Sequence, residues 1–295
     1  MKKIDITKIP LKTVFLLSLA LLVLSAAGYW KYIVNDPDRI FEGMLKNSLQ
    51  TKSVTKVIEE KSEGGSGRQV IAMRFSPSLG VESKYDLQRG EGDQQSSTQT
   101  SVIGLKNADY IRYNKIVSTQ VPEEKKSEIV GVWAKIGEDS PEQKPSSYND
   151  TLFSVILFGD LGNDEADDMV KKLIDSDVYS IDKYSTAFKD GRLIANITVN
   201  VKPKNLVETM KYYGEKTGYV DPSVLDIEGL NNEPISIDLS VDLVSRQTTN
   251  ISYSGGQRVE QYGAHGQYQK ITLPENPISF SELSSRLQSA AKREQ

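Results

Sequence analysis

The sequence predicts an α+β protein in which an N-terminal transmembrane helix precedes an antiparallel β-sheet packed on several helices. Three observations carry this. Residues Thr13 to Trp30 run without a charge. Beyond them, short segments that alternate apolar and polar residues follow one another, separated by turns rich in Gly, Asp and Ser, as the strands of an antiparallel meander do. Between some of these segments lie stretches whose apolar residues recur at helical spacing.

As a helix the uncharged run would extend about 27 Å, close to the hydrocarbon thickness of a bilayer. Thr13, Phe15, Leu16, Leu17, Leu19, Leu21, Leu22 and Leu24 make its body, and Tyr29 and Trp30 close it as an interfacial aromatic pair. Lys2, Lys3, Lys8 and Lys12 precede it, which keeps the N-terminus in the cytoplasm and puts residues 36–295 outside, as the extracytoplasmic domain of a single-pass membrane protein. A secretory signal cut after Ala27 is the rival reading, because Ser25 and Ala27 are small. The length of the run and the aromatic pair beyond that cut favour the retained anchor. Both readings export the body of the chain. A lipoprotein signal is excluded, since there is no cysteine to acylate.

The elements then follow in order. Asp36-Pro37-Asp38 starts a helix, with Asp36 as N-cap and Pro37 at the first helical position; Phe41, Met44, Leu45, Ser48 and Leu49 share its apolar face. Ser53–Glu59 and Gln69–Phe75 flank Gly64-Gly65-Ser66-Gly67, a hairpin signature, and Glu82–Arg89 and Gln95–Ile103 flank Gly90-Glu91-Gly92-Asp93 in the same way. Asp109–Tyr113 and Glu128–Ile136 continue the strands across the charged loop Pro122–Lys126. Ser140–Ser147 is a polar Pro/Ser loop, a candidate boundary. Thr151–Phe158 is a short apolar run that fits a buried helix or a buried strand. Asn163–Leu173 carries its acids early and its lysines late, as a helix macrodipole favours. Ala187–Ile194 is a hairpin around Asp190-Gly191, continuing into Ile197, Val199 and Val201. Pro203 opens a helix with Leu206, Val207, Met210 and Tyr213 on one face, ended by Gly214 or Gly218. Ile235–Val244 alternates strictly, with Ile235, Ile237, Leu239, Val241 and Leu243 on one side. Thr248–Tyr253, Gln257–Tyr262 and Tyr268–Leu273 read as further strands, and Phe280–Ala291 as a last helix with Phe280, Leu283, Leu287 and Ala290 inward.

Composition narrows the chemistry. The chain carries 36 Lys+Arg and 40 Asp+Glu. Residues 1–34 hold five lysines and one aspartate, so the remainder carries 31 basic and 39 acidic residues, a net of −8. Such a body is a poor nucleic-acid binder, because phosphate neutralisation needs clustered Lys and Arg. With no cysteine it has no disulfide staples and must be held by its core. The single histidine, His265, sits in Gly263-Ala264-His265-Gly266, a turn, with no G-x-S-x-G elsewhere; an exposed turn histidine is the preferred reading over a catalytic base. A zinc site lacks ligands. Asp160, Asp164, Asp167 and Asp168 do not match the spacing of an EF-hand calcium loop and read as a helix start. No catalytic, metal or cofactor residue is assigned, and no enzyme is expected.

The order of elements resembles the LolA/LppX-LprG class of exported bacterial carrier proteins. The resemblance is carried best by Ile237–Pro274, where Asp238–Leu243, Ile251-Ser252-Tyr253, Gln261-Tyr262-Gly263 and Ile271-Thr272-Leu273-Pro274 look like the closing strands of that class. It covers roughly residues 38 to 275 and is one of pattern. What it implies is a strongly curved sheet wrapping helices as a half-barrel around an apolar cavity that carries lipid or lipoprotein acyl chains. Two features depart from it. The mycobacterial members are lipoproteins, whereas this chain has a peptide anchor, and residues 140–176 stand outside the pattern as a candidate helical insertion or lid. No ligand contact carries over.

The expected function is that of a membrane-anchored extracytoplasmic binding protein, its N-terminal helix in the lipid bilayer and a lipid or other amphiphile in the groove of its sheet. A cell-envelope scaffold is the alternative, consistent with fourteen tyrosines. An envelope hydrolase using acids alone ranks third. One continuous half-barrel and two sheets divided near Pro145 both fit the sequence.

Overall fold

Eleven of the twelve strands among the described residues are long enough to set a register, and short turns decide which neighbours most of them take. The computed structural model describes residues 18–25, 28, 35–90, 95–118, 121–137 and 143–291. The first meander comprises β1 (Ser53–Ser62), β2 (Gly65–Arg74), β3 (Gly80–Arg89), β4 (Ser96–Leu105), β5 (Ala108–Val117) and β6 (Trp133–Gly137). The second comprises β7 (Tyr179–Lys189), β8 (Arg192–Val201), β9 (Ile235–Asp242), β10 (Thr248–Tyr253) and β11 (Arg258–Gly263). Within each meander every strand pairs antiparallel with the next. The tightest link is Asp190-Gly191, whose φ angles of 51° and 76° put both residues in the left-handed region that a two-residue hairpin turn requires.

One antiparallel pairing, β1 with β11, joins the two meanders into a single curved sheet ordered β12-β6-β5-β4-β3-β2-β1-β11-β10-β9-β8-β7. The two-residue strand β12 (Ile278–Ser279) lies parallel to β6. Residues 264–277 carry the chain to it as a strap across the sheet, held by Arg74 Nη1 on the Gln269 carbonyl at 3.0 Å and by Gln269 Nε2 on Thr55 Oγ1 at 3.2 Å.

The helices are α1 (Pro37–Leu49), α2 (Glu123–Lys126), α3 (Ser147–Leu152), α4 (Asn163–Asp175), α5 (Pro203–Thr217) and α6 (Phe280–Ala291). Asp36 caps α1 by accepting the Arg39 amide at 3.0 Å. The face of α1 read from the sequence is the one it buries, with Ile40 added. Gly218, at φ 67°, ends α5 in the left-handed conformation. The main core packs α1, α3, α4 and α5 against one face of the sheet, where Val54, Ile71, Met73, Val81, Ile197, Val199, Ile237, Leu239 and Ile251 are buried. Leu283 and Ala290 of α6 form a second cluster with Ile129 and Ala134 at the β6 end.

Three segments differ from expectation. Tyr268–Leu273 pairs with no strand and runs within the strap. β11 already has β1 and β10 on its two sides, so no edge is left there for another strand. Of Glu128–Ile136, only the part from Trp133 is strand; the residues before it form turns after α2, whose end is tied by Lys126–Glu123 and Lys125–Glu128 ion pairs at 2.6 and 3.2 Å, and Val130 bridges to Tyr113. Thr151–Phe158 is neither helix nor strand over its length. α3 ends at Leu152, and the irregular chain that follows buries Ile156, Leu157 and Phe158. Its backbone groups are tied to the end of α1, Gly159 N–H to the Ser48 carbonyl at 3.2 Å and Leu161 N–H to that of Leu49 at 2.9 Å. Within the stretch 140–176, α3, this connection and α4 all contribute buried side chains to the main core.

Of the run read as an anchor, residues 18–25 are helical, with Leu19, Leu21, Leu22 and Leu24 exposed. Thr13, Phe15, Leu16, Leu17, Tyr29 and Trp30 lie outside the described residues. Among the described residues no helix is long and apolar enough to cross a membrane.

Candidate functional site

Strand alternation puts every second residue of β1 on the helix-bearing face, and the row reads Val54, Lys56, Ile58, Glu60. The register of β11 sets Tyr262 opposite Lys56, Glu260 opposite Ile58 and Arg258 opposite Glu60. The seam between the meanders therefore carries two cations and two anions on the face that elsewhere holds the core. Lys56 is 2 % exposed and Glu260 1 %.

Glu260 is the hub. Its Oε1 accepts from Arg258 Nε at 2.9 Å and Nη2 at 2.7 Å, and its Oε2 accepts from the Tyr262 hydroxyl at 2.5 Å. Lys56 Nζ stands 4.0 Å from the same Oε2 and donates weakly to the Thr151 carbonyl, at 3.5 Å, at the end of α3. The third arm of Arg258, Nη1, reaches Glu60 at 2.5 Å. Its guanidinium lies 5.6 Å from the centre of the Tyr253 ring, and Tyr262 stacks on Phe158 at 5.3 Å. Burial lowers the Lys56 pKa from its ordinary 10.5; Glu260 opposes that shift and Arg258 adds to it. Burial also holds the Tyr262 phenol well above 10, reinforced by the negative charge of Glu260.

From this cluster toward the β1–β2 turn the face changes character. One cross-strand row holds Gln69, Tyr85, Thr100 and Tyr113; the next holds Gly67, Leu87, Thr98 and Ile116; the last holds Gly65, Arg89 and Ser96. Small and hydroxyl-bearing side chains predominate, and they leave a groove of about 510 Å³ bordered by Glu60, Arg258, Gly65, Gly67, Tyr85 and Leu87, with Lys61 and Arg89 at its mouth. A side chain at Gly67 would start 2.9 Å from the Tyr85 hydroxyl, so glycine keeps this space open. Two other hollows are a crevice of about 230 Å³ between α4 and α5 and a groove of about 480 Å³ on the opposite face of β7–β10, lined by Lys183, Asn196, Thr198 and Asp238 among others. Only the first adjoins a buried cluster of charges.

His265 is half-buried. Its Nε2 lies 3.0 Å from the Thr248 carbonyl, and burial lowers its pKa from 6.5, which suits a neutral ring fixed in a turn. Asp164 lies in the first turn of α4, Asp167 within the same helix pairs with Lys46 of α1 at 2.6 Å, and the Asp160 backbone bridges to Gln50 just after α1. Among the described residues no group of three or more His, Cys, Asp or Glu could hold a metal ion. Lys56, Glu60, Arg258 and Glu260 went unnoticed in the sequence. The available signal was phase: Lys56 lies in step with Val54 and Ile58, and Glu260 in step with Tyr262, on the side that must face the core.

No protein-family model matches this chain, and no curated protein does. Among solved structures, the crystal structure of LprF from Mycobacterium bovis is similar at a TM-score of 0.43 and 12% identity, over 83% of this chain and 99% of that one. A β-barrel-like protein of a domain of unknown function, DUF1849, from Brucella abortus is similar at a TM-score of 0.24 and 12% identity, over 73% of this chain and 96% of that one.

Proposed function

We propose that this chain is a binding protein held outside the cytoplasmic membrane by residues 13–30, and that its groove takes the polar end of a lipid or other amphiphile. The observation that carries this reading is the groove of about 510 Å³ lined in part by the half-exposed Arg258, which is paired to the buried Glu260 beside Lys56. Its volume lies within the range of small-molecule sites, about 300–1,000 Å³. Ser66, Gln88 and Gln257 in the lining offer hydrogen bonds, and exposed Lys61 and Arg89 favour an anionic headgroup. Leu87 and Tyr85 supply the apolar strip along which the first part of an acyl chain would lie. The helix-covered half of the same face carries the main hydrophobic core, and this reading puts the cargo in the polar half, with its tail toward solvent or a bilayer.

The site is proposed as a binder and not as a catalyst. Glu60 and Glu260, the two acids nearest the groove, both accept from the same guanidinium, which sets them as positioning groups for Arg258. A cell-envelope scaffold is the second reading, favoured by the exposed Tyr268 on the strap.

Native mass spectrometry of the full chain, released from detergent after purification from bacterial membranes, tests the groove. Wild type should carry a bound mass that denaturation releases as lipid. Gly67→Trp should lose most of it, because the indole fills the groove and pushes the Tyr85 ring aside, and circular dichroism checks that the variant stays folded. Equal lipid on both proteins would refute the groove as the site. No bound mass on wild type, even after incubation with lipid extract, would favour the scaffold.

A further inference from the structure

The most exposed large apolar side chains outside residues 18–25 are gathered at one end of the second meander. Phe188, at the tip of the β7–β8 hairpin, is 76 % exposed, and Val244, in the β9–β10 turn, is 80 % exposed. The two are close neighbours in the sheet: Phe188 pairs with Leu193, whose carbonyl accepts the Leu243 amide at 2.9 Å. The hairpin tip also presents Lys189 and Arg192, paired across the turn and both exposed, against one acid, Asp190. Outside residues 1–34 the chain is net acidic, so this tip is a local reversal of sign.

The tip is also near the place where the chain enters the domain. α1 lies against β7, with the Phe41 ring meeting that of Tyr179 edge-on at 5.2 Å, and the Tyr184 phenol, raised mainly by burial, is also subject to the charges of Arg246 and Asp36. Tyr184 and Phe188 lie on the same strand and the same face, about 13 Å apart at the rise of a β-strand. Residues 31–35 separate Trp30 from Asp36, and that link spans at most about 20 Å when extended. A bilayer interface marked by Tyr29 and Trp30 is therefore within reach of the hairpin tip.

We propose that the β7–β8 tip and the β9–β10 turn form a second contact with the lipid surface, Phe188 and Val244 entering the interface while Lys189 and Arg192 take anionic headgroups. Aromatic and aliphatic side chains flanked by cations are the chemistry that the interface favours. The inference rests on the reading of residues 13–30 as a bilayer anchor. Two contacts, one spanning and one interfacial, would fix the tilt of the sheet over the membrane, which one contact alone cannot do.

Because the chain has no cysteine, single substitutions report cleanly. The full chain is reconstituted into phosphatidylcholine vesicles with and without phosphatidylglycerol. A nitrobenzoxadiazole label is placed in turn at Leu21→Cys, Phe188→Cys and, as a solvent reference at the far end of β7, Ser180→Cys. The expected result is a shielded Leu21 label, together with a Phe188 label that shifts to the blue and loses iodide quenching several-fold when phosphatidylglycerol is present. The Ser180 label should stay quenched. Reversing Lys189 and Arg192 to Glu should abolish the dependence on phosphatidylglycerol and leave the Leu21 label unchanged. A shielded Leu21 label with a Phe188 label as quenched as that at Ser180 would overturn the hairpin contact alone. A Leu21 label open to iodide would overturn the anchor, and the inference with it.

Discussion

Replacing Glu260 by Gln tests whether the charged seam is as dry as its geometry implies. The substitution preserves shape and removes one negative charge, leaving the Lys56 ammonium and the Arg258 guanidinium without their shared counter-ion. Lys56 Nζ is 4.0 Å from Glu260, and at an effective dielectric near 20 a pair at that distance is worth about 4 kcal/mol. Breaking a buried pair by removing one partner costs about 3–5 kcal/mol, which agrees. Arg258 loses charge on two of its three hydrogen-bonding arms but keeps Glu60, which places the expectation inside that range and not above it. At roughly 2–4 °C per kcal/mol for a domain of this size, the midpoint should fall by roughly 6–20 °C. Urea denaturation of the full chain in mild detergent, followed by circular dichroism, gives the free energy directly. Combining Lys56→Met with Glu260→Gln should return about 1–3 kcal/mol, because the stranded ammonium is then gone. A loss below about 1 kcal/mol in Glu260→Gln, with no recovery in the pair, would show that water reaches the seam and that its charges are screened as surface ion pairs are.

Other perturbations separate the remaining parts of the structure. For Lys56, the folded pKa lies below its ordinary 10.5, so the stability tied to the neutral amine is present above that value and is lost as pH falls through the folded pKa. Wild type should therefore gain on Lys56→Met as pH is raised from 7 toward 10.5, and a pH-independent difference between the two denaturation curves would contradict the burial of this group. Asp109, buried on β5, accepts the amides of Ser146 and Ser147 at 2.9 Å each and so caps α3 from across the sheet. Asp109→Ala should cost about 1.5–3 kcal/mol and speed amide exchange in α3 above all; Asp109→Asn, which keeps an acceptor, should lose about half as much.

The strands were legible because apolar and polar residues alternate along them and several turns carry Gly or Asp at left-handed positions, Asp190-Gly191 above all, although the β9–β10 turn uses Arg246 at φ 55°. Ile235–Asp242 shows this best: Ile237, Leu239 and Val241 are buried, while Ile235 is exposed at the strand end. The face of α1 was legible for the same reason, since a period of 3.6 over thirteen residues leaves little choice. The polar seam was not. Arg258 and Glu60 are 198 positions apart in the chain, and nothing local to either predicts that β1 and β11 pair. Without the seam, Lys56 reads as one lysine among many. The strap and the parallel β12 were hidden by a different limit: Ile278–Ser279 is too short for any periodicity, and Tyr268–Leu273 looks like a strand locally but has no open edge to join.

The same seam also sets the order in which this protein can be made. β1 forms its hairpin with β2 early in synthesis, yet its other edge waits for β11, whose residues come last among the long strands. Until then the first meander carries an open row of amide and carbonyl groups, the feature that invites pairing with a second chain. Contacts so distant in sequence also slow folding, because loop closure is paid before they form. During that interval Lys56 has no Glu260 beside it and must remain hydrated, which disfavours premature burial of the edge and keeps one positive charge on the strand most exposed to wrong partners. A chain stopped short of Arg258 would hold that state permanently, and edge-to-edge aggregation is its expected fate.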